Sequence, residues 1–172
     1  MVKLSTYLDL PPITLDGIGF DKCPYHIFKP ILEYYNYRKT TVNKDPNIYP
    51  LGDHVKFFYW VAKEIKPIFD NWCKVPIEFS YMYGIHSYKN KEIIELHREH
   101  LQTHHISAQI LIDKDKDWNF DLYDHGNNLN TIPTLNIGDI ILYEGAKLLH
   151  GRPLPFEGTY YDILYVHYKL KN

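Results

Sequence analysis

The chain has 172 residues, 45% hydrophobic and 23% charged, with a net charge of −2; it reads as one globular domain with a real core, not a disordered or fibrous chain. The near-neutral charge leaves no polyanion footprint, and no apolar run approaches the ~20 residues of a membrane span, so neither nucleic acid nor membrane is an expected partner. Met1-Val2-Lys3-Leu4-Ser5 opens no apolar signal segment, and Cys23 and Cys73 make no disulfide framework, which points to a cytoplasmic protein with two reduced, partly buried thiols.

Residues 1–22 are punctuated by Pro and Gly and are expected to wrap the surface. From Pro24 to Arg38, Ile27, Phe28, Ile31, Leu32 and Tyr35 recur at helical spacing. Residues 39–52 carry Thr, Asn, Asp, Pro and Gly and read as a loop. Asp53 is a candidate N-cap for a helix to about Trp72, with Val55, Phe58, Tyr59, Ala62, Ile65 and Phe69 as its apolar stripe and Pro67 ending or kinking it.

From Ile77 the period becomes two. Phe79, Tyr81, Tyr83 and Ile85 alternate with Met82, Gly84, His86 and Tyr88; a polar turn at 89–92 follows, and Ile94 and Leu96 restart a strand. Ile106, Ala108, Ile110 and Ile112 mark the next strand, and 113–117 is a charged loop. Asp124 to Asn128 reads as a turn, 135–143 as a hairpin, and Tyr160 to Tyr168 as a last strand. The expected fold is mainly β with an α+β content. It is a double-stranded β-helix, or cupin-like jelly roll, over 77–169, with 1–76 supplying two flanking helices within one domain.

One pattern carries chemistry. His97 and Glu99 form His-x-Glu after the strand-like Ile94-Glu95-Leu96, and His150 follows 53 residues after His97. On a strand, positions i and i+2 share a face. Two neutral imidazoles and one carboxylate suit non-haem Fe(II) and leave coordination positions open. An alternative reading makes 97–104 a helix, with His97, His100 and His104 sharing a face that suits zinc. His26, His54, His86, His100, His105, His125 and His167 stand in no comparable constellation and are read as surface or core; His167, on the last strand, is placed to line the barrel mouth but is not counted in the site.

Tyr88, nine residues before His97, then His97-Arg98-Glu99, then Gly138-Asp139 and His150-Gly151 resemble the Fe(II)/2-oxoglutarate oxygenases of the prolyl-4-hydroxylase-like group, over residues 79–169. The resemblance implies a dioxygenase that uses Fe(II), 2-oxoglutarate and O2 to hydroxylate a C–H bond. His97, Glu99 and His150 would hold the metal, and the Tyr88 hydroxyl would contact a 2-oxoglutarate carboxylate. Two positions depart from the pattern. Glu99 stands where Asp is usual, and Tyr160 stands where Lys or Arg would take the far carboxylate. Arg152 is the candidate replacement, with Ser107 and His104 as further candidates; Gly151 would let the backbone pass close to the metal.

The resemblance suggests a peptidyl proline, a free amino acid or another small molecule as substrate, met by loops at 39–52 and 113–130. Two other classes stay open: a jelly-roll binding protein without turnover, and a cupin-type metalloprotein that does not use 2-oxoglutarate.

Overall fold

The computed structural model describes residues 10–41, 47–50 and 54–171. Helix α1 spans Tyr25–Thr41 and follows Pro24, whose carbonyl accepts bonds from the Ile27 and Phe28 amides. It buries Ile27, Phe28, Ile31, Tyr34 and Tyr35. Helix α2 spans Val55–Cys73. It runs through Pro67 and ends at Lys74, which adopts the left-handed conformation (φ 54°) and returns its amide to the Asp70 carbonyl. Its buried stripe is Phe58, Val61, Ala62, Ile65, Phe69 and Cys73. Val55 and Tyr59, expected on that stripe, are exposed: Val55 lies in the first turn, beyond the core, and Tyr59 is rotated off the face that Phe58 presents. His54 occupies the N-cap position without a side-chain cap, and Asp53 lies outside the described residues.

The remaining elements are strands: β1 (Ile18–Lys22), β2 (Ile48–Pro50), β3 (Ile77–Tyr81), β4 (Gly84–Tyr88), β5 (Ile94–His97), β6 (Ile106–Lys114), β7 (Phe120–Tyr123), β8 (Leu129–Ile132), β9 (Asp139–Tyr143), β10 (His150–Arg152) and β11 (Tyr161–Leu170). All listed in that chain order, they pair antiparallel into two sheets. The larger runs β1-β9-β6-β11-β4-β2, with β3 also on β11; the smaller runs β5-β10-β7-β8. This is the expected jelly roll.

Several local expectations are corrected. Part of 1–22 forms β1 on the edge of the large sheet, and part of 39–52 forms the end of α1 and β2. The alternating run 77–88 is two strands laid end to end along β11, separated at Met82 and Tyr83; Gly84 at φ 123° permits the break. Residues 135–143 are not a hairpin. β8 and β9 belong to different sheets, and the chain between them crosses from one to the other. The hairpin instead joins β7 to β8 around 124–128, where Asn127 takes φ 62°.

Strand alternation sorts the core into two layers. Ile106, Ala108, Ile110 and Ile112, with Ile140, Leu142, Leu164 and Val166, face the helices. Leu111, Phe120, Leu122, Ile141, Tyr143, Tyr161 and Ile163 fill the space between the sheets. Cys23 and Cys73 are buried free thiols, and burial pushes the Cys23 thiol up to about 12. Among the described residues no helix is long and apolar enough to cross a membrane.

The two sheets place the site through one tight pairing, β5 with β10. At Gly151 an added Cβ would lie 2.6 Å from the Ile94 carbonyl oxygen and 2.7 Å from that of Glu95. Backbone cannot yield as a flexible side chain can, so Gly151→Ala should part the strands and destabilise the protein by about 1–3 kcal/mol, measured by urea unfolding. Wild-type stability in this variant would mean that the pairing is not tight.

Candidate metal centre

β5 and β10 bring the two halves of the sequence pattern together: His97 and His150 are register partners, with ring centroids 4.6 Å apart. Residues 97–104 are not a helix; β5 ends at His97 and a single turn occupies 101–103. Glu99 lies beyond the strand, its amide bonded to the Gly145 carbonyl at 2.9 Å. Its carboxylate Oε1 lies 3.6 Å from His150 Nε2 and 3.9 Å from His97 Nε2.

Each imidazole is oriented from behind. His97 Nδ1–H donates to the Glu95 carbonyl and His150 Nδ1–H to the Leu148 carbonyl, both at 2.8 Å. With Nδ1 carrying the proton, each neutral ring presents a bare Nε2 to the carboxylate. His150 Nε2 is buried and has no hydrogen-bond partner. A lone pair facing a carboxylate is unfavourable unless a cation stands between them. Burial alone would push the Glu99 carboxyl up, but Nε2–H donation from the imidazoles of His150 and His97 in their protonated form outweighs it and holds the carboxyl well below its usual range. Glu99 in turn raises His97.

The cavity between the sheets is lined by these three residues and by Tyr83, His86, Tyr88, Gln109, Tyr143, Tyr165 and His167. Among the described residues Glu99 is the only carboxylate lining it, and neither Lys nor Arg does. Tyr88 reaches it as expected, its hydroxyl 3.1 Å from that of Tyr165. Gly151 lines it too, but the close approach that demands glycine there is to the neighbouring strand rather than to the metal position. From the loops expected to meet substrate, only Phe120 among the described residues lines it.

Arg152 stands one layer behind this lining. It is 1% exposed and shares the inward face of β10 with His150. Its guanidinium donates to the Trp118 carbonyl and, at 3.0 Å, to Gln109 Oε1. It also lies over Trp118, Phe120 and Tyr161, 4.8–5.3 Å from the ring centroids. Arg152 Nε is buried without a partner, and no described carboxylate pairs with the group. Ser107 does not line the cavity; its hydroxyl is spent on His167 Nδ1 at 2.8 Å. Tyr160, at the position of the usual cation, lies under the Lys39 ammonium, outside the cavity lining.

Sequence reasoning missed Gln109, Tyr143, Tyr165 and His86, and placed His167 at the barrel mouth without counting it in the site. Parity was the available signal. On β6 the even positions from Ile106 to Ile112 are apolar while Ser107 and Gln109 are polar, so two polar side chains face the other sheet.

No protein-family model matches the chain, and no curated protein matches it in sequence. Solved structures match in fold. HygX from Streptomyces hygroscopicus, crystallised with nickel and 2-oxoglutarate, has a TM-score of 0.67 at 13% identity, covering 91% of this chain and 83% of its own. A Pseudomonas putida prolyl-4-hydroxylase scores 0.63 at 10%, covering 91% and 89%. An oxidoreductase of the 2OG-Fe(II) oxygenase family from Burkholderia pseudomallei scores 0.63 at 11%, covering 91% and 85%. The chain therefore has the fold of the 2-oxoglutarate/Fe(II) oxygenases, prolyl-4-hydroxylases among them.

Two outcomes follow from this geometry. At Gly145 an added Cβ would lie 2.8 Å from Glu99 Cγ and closer still to Ser107 Oγ. Gly145→Ala should displace the carboxylate and weaken Co(II) binding at least tenfold in calorimetric titration; unchanged affinity would mean that Glu99 is not a ligand. In metal-free protein the His97–Glu99 interaction is fully present below the ordinary histidine value of 6.5 and is lost as pH rises through the raised value. Glu99→Gln should therefore lower the His97 titration midpoint seen by NMR; an unmoved midpoint would place its cause elsewhere.

Proposed function

We propose that the protein is an Fe(II)- and 2-oxoglutarate-dependent dioxygenase that hydroxylates a C–H bond, with His97, Glu99 and His150 as the iron ligands. The observation that carries the reading is the unpartnered, buried Nε2 of His150, fixed in its tautomer and 3.6 Å from a half-buried carboxylate. Two imidazoles and one carboxylate leave a six-coordinate ion half open. When bound, the iron supplies the oxygen chemistry, by which O2, 2-oxoglutarate and a C–H bond become succinate, CO2 and a C–OH group.

The chain's own residues bind and orient. Position i+2 on β10 lies ~7 Å from His150, the reach of a five-carbon chain whose other end is at the metal. Arg152 would supply the positive charge there, through the layer of Gln109, Tyr88 and Tyr165 that separates it from the cavity. A divalent ion, the Glu99 carboxylate, a dianionic co-substrate and the Arg152 guanidinium sum to no net charge. Without the anion, Arg152 is a buried cation whose only compensation is carbonyl, amide and ring faces, a state that costs several kcal/mol. Ser107 serves through His167 rather than as a direct contact to the co-substrate.

The half-exposed edge of His97 and the aromatic Tyr81 and Tyr83 mark the open side of the cavity, where the substrate enters. HygX has been crystallised with the small molecule hygromycin B. For this chain a small molecule or an amino-acid-like group, a prolyl residue included, is the proposed substrate class.

Anaerobic protein loaded with Fe(II) should develop a visible charge-transfer band on addition of 2-oxoglutarate, as a chelated 2-oxo acid does. Arg152→Met, which keeps length and loses charge, should raise the concentration needed by ten- to a hundredfold, the ~1.5–3 kcal/mol of a charge-assisted contact, at unchanged iron affinity. A band at wild-type concentration in the variant would contradict the anchor, and no band in wild type would contradict the activity.

A further inference from the structure

Glu99 faces a second pair of histidines. A ligand atom each from Glu99, His104 and His167 lie within 4.8 Å of one another, just as those of His97, Glu99 and His150 do. His104 follows the turn after Glu99, and His167 sits on β11 as the register partner of Ser107. The two ring centroids are 3.9 Å apart with the planes tilted by 45°, and both residues are buried, at 5% and 2% exposure.

This second pair is built as metal ligands are built. His104 Nδ1 lies 2.5 Å from Thr103 Oγ1, and His167 Nδ1 lies 2.8 Å from Ser107 Oγ. A hydroxyl that accepts Nδ1–H leaves the Nε2 lone pair available; that of His104 lies 3.5 Å from the Tyr83 hydroxyl. Neither ring is within ion-pair distance of Glu99, unlike His97 and His150, so seating an ion on this pair takes a small swing of the Glu99 side chain toward it. Glutamate in place of aspartate acquires a reason: one more methylene carries the carboxylate past the end of β5 to a point between the two pairs.

We propose that a divalent first-row metal ion has two alternative seats sharing Glu99, one on His97 and His150 and one on His104 and His167, occupied one at a time. Single occupancy follows from charge. Among the described residues Glu99 is the only carboxylate lining the cavity, and two divalent ions on one carboxylate would repel strongly at low dielectric. The inner seat is the more buried, since the His97 side chain is 42% exposed. Resting on the activity proposed above, a co-substrate anchored toward Arg152 selects the outer seat, because β10 carries both His150 and Arg152. The inner seat then holds the ion where it is not presented to O2 or substrate, and 2-oxoglutarate moves it into place.

The test is anaerobic titration of the metal-free protein with Co(II), whose visible spectrum reports its ligands, in variants checked for native circular dichroism. Leucine fills the volume of histidine without ligating. Wild type should bind one equivalent. His150→Leu and His167→Leu should each still bind one equivalent, with affinities within about tenfold of wild type and spectra that differ from each other. His150→Leu/His167→Leu should bind at least a hundredfold more weakly. Loss of binding in His150→Leu alone would overturn the inner seat, as would a double variant no weaker than His150→Leu; two equivalents in wild type would overturn single occupancy. Addition of 2-oxoglutarate should bring the wild-type spectrum to that of His167→Leu with 2-oxoglutarate. If 2-oxoglutarate changes no spectrum while the variants behave as stated, the two seats stand and the oxygenase reading fails. If His150→Leu alone abolishes binding while 2-oxoglutarate still shifts the wild-type spectrum, the oxygenase reading stands and the inner seat fails.

Discussion

The pairing of β5 with β10 is the constraint on which the site depends. It sets His97 opposite His150, so that two residues 53 positions apart in sequence present their Nε2 atoms to one point. Each ring is turned to that point by a carbonyl two residues before it, Glu95 for His97 and Leu148 for His150. The strands carry their own second shell, and no further residue is required to fix either tautomer. Glycine makes this geometry possible twice: at 151, where a side chain would meet the neighbouring backbone, and at 145, where it would meet Glu99.

Electrostatics accounts for the rest of the interior. Among the described residues, one carboxylate, one guanidinium set apart from it, several neutral histidines and a group of tyrosine hydroxyls lie between the sheets. Burial holds His86 down to about 4 and His167 to about 3, so these rings add no positive charge at neutral pH. Arg152 is stabilised by π faces and two acceptors but lacks an anion, and the Tyr143 hydroxyl, His86 Nε2 and Arg152 Nε are buried without partners of their own. Buried polar groups are ordinarily satisfied. Their concentration around one cavity is the mark of a site organised for a charged, polar guest, not of a filled core.

Much of this was legible because strand alternation is a strong local rule. Ile106, Ala108, Ile110 and Ile112 announced β6, and His-x-Glu with a distant His-Gly announced the two ends of the centre. Boundaries that depend on tertiary pairing were not legible. β1 and β2 exist because exposed edges of β9 and β4 accept them, and nothing in the Pro- and Gly-rich sequence around them signals that. The apparent hairpin at 135–143 has the right turn chemistry, including Gly138 at φ 85°, but turn chemistry does not say which sheet the chain enters next. His167 looked isolated because its neighbours, Glu99, His104 and Ser107, come from other elements. Arg152 was identifiable by its spacing from His150, whereas its place behind Gln109 followed only from the packing of the two sheets.

The most direct measurement is a crystal structure of the anaerobic protein with Fe(II) and 2-oxoglutarate. The account predicts one iron ion bound by His97 Nε2, His150 Nε2 and the Glu99 carboxylate, chelated by the 2-oxo acid end of 2-oxoglutarate, with the far carboxylate toward Gln109, Tyr88 and Arg152. Iron seated away from His97 and His150 in the presence of 2-oxoglutarate, or a 2-oxoglutarate molecule directed away from Arg152, would contradict it.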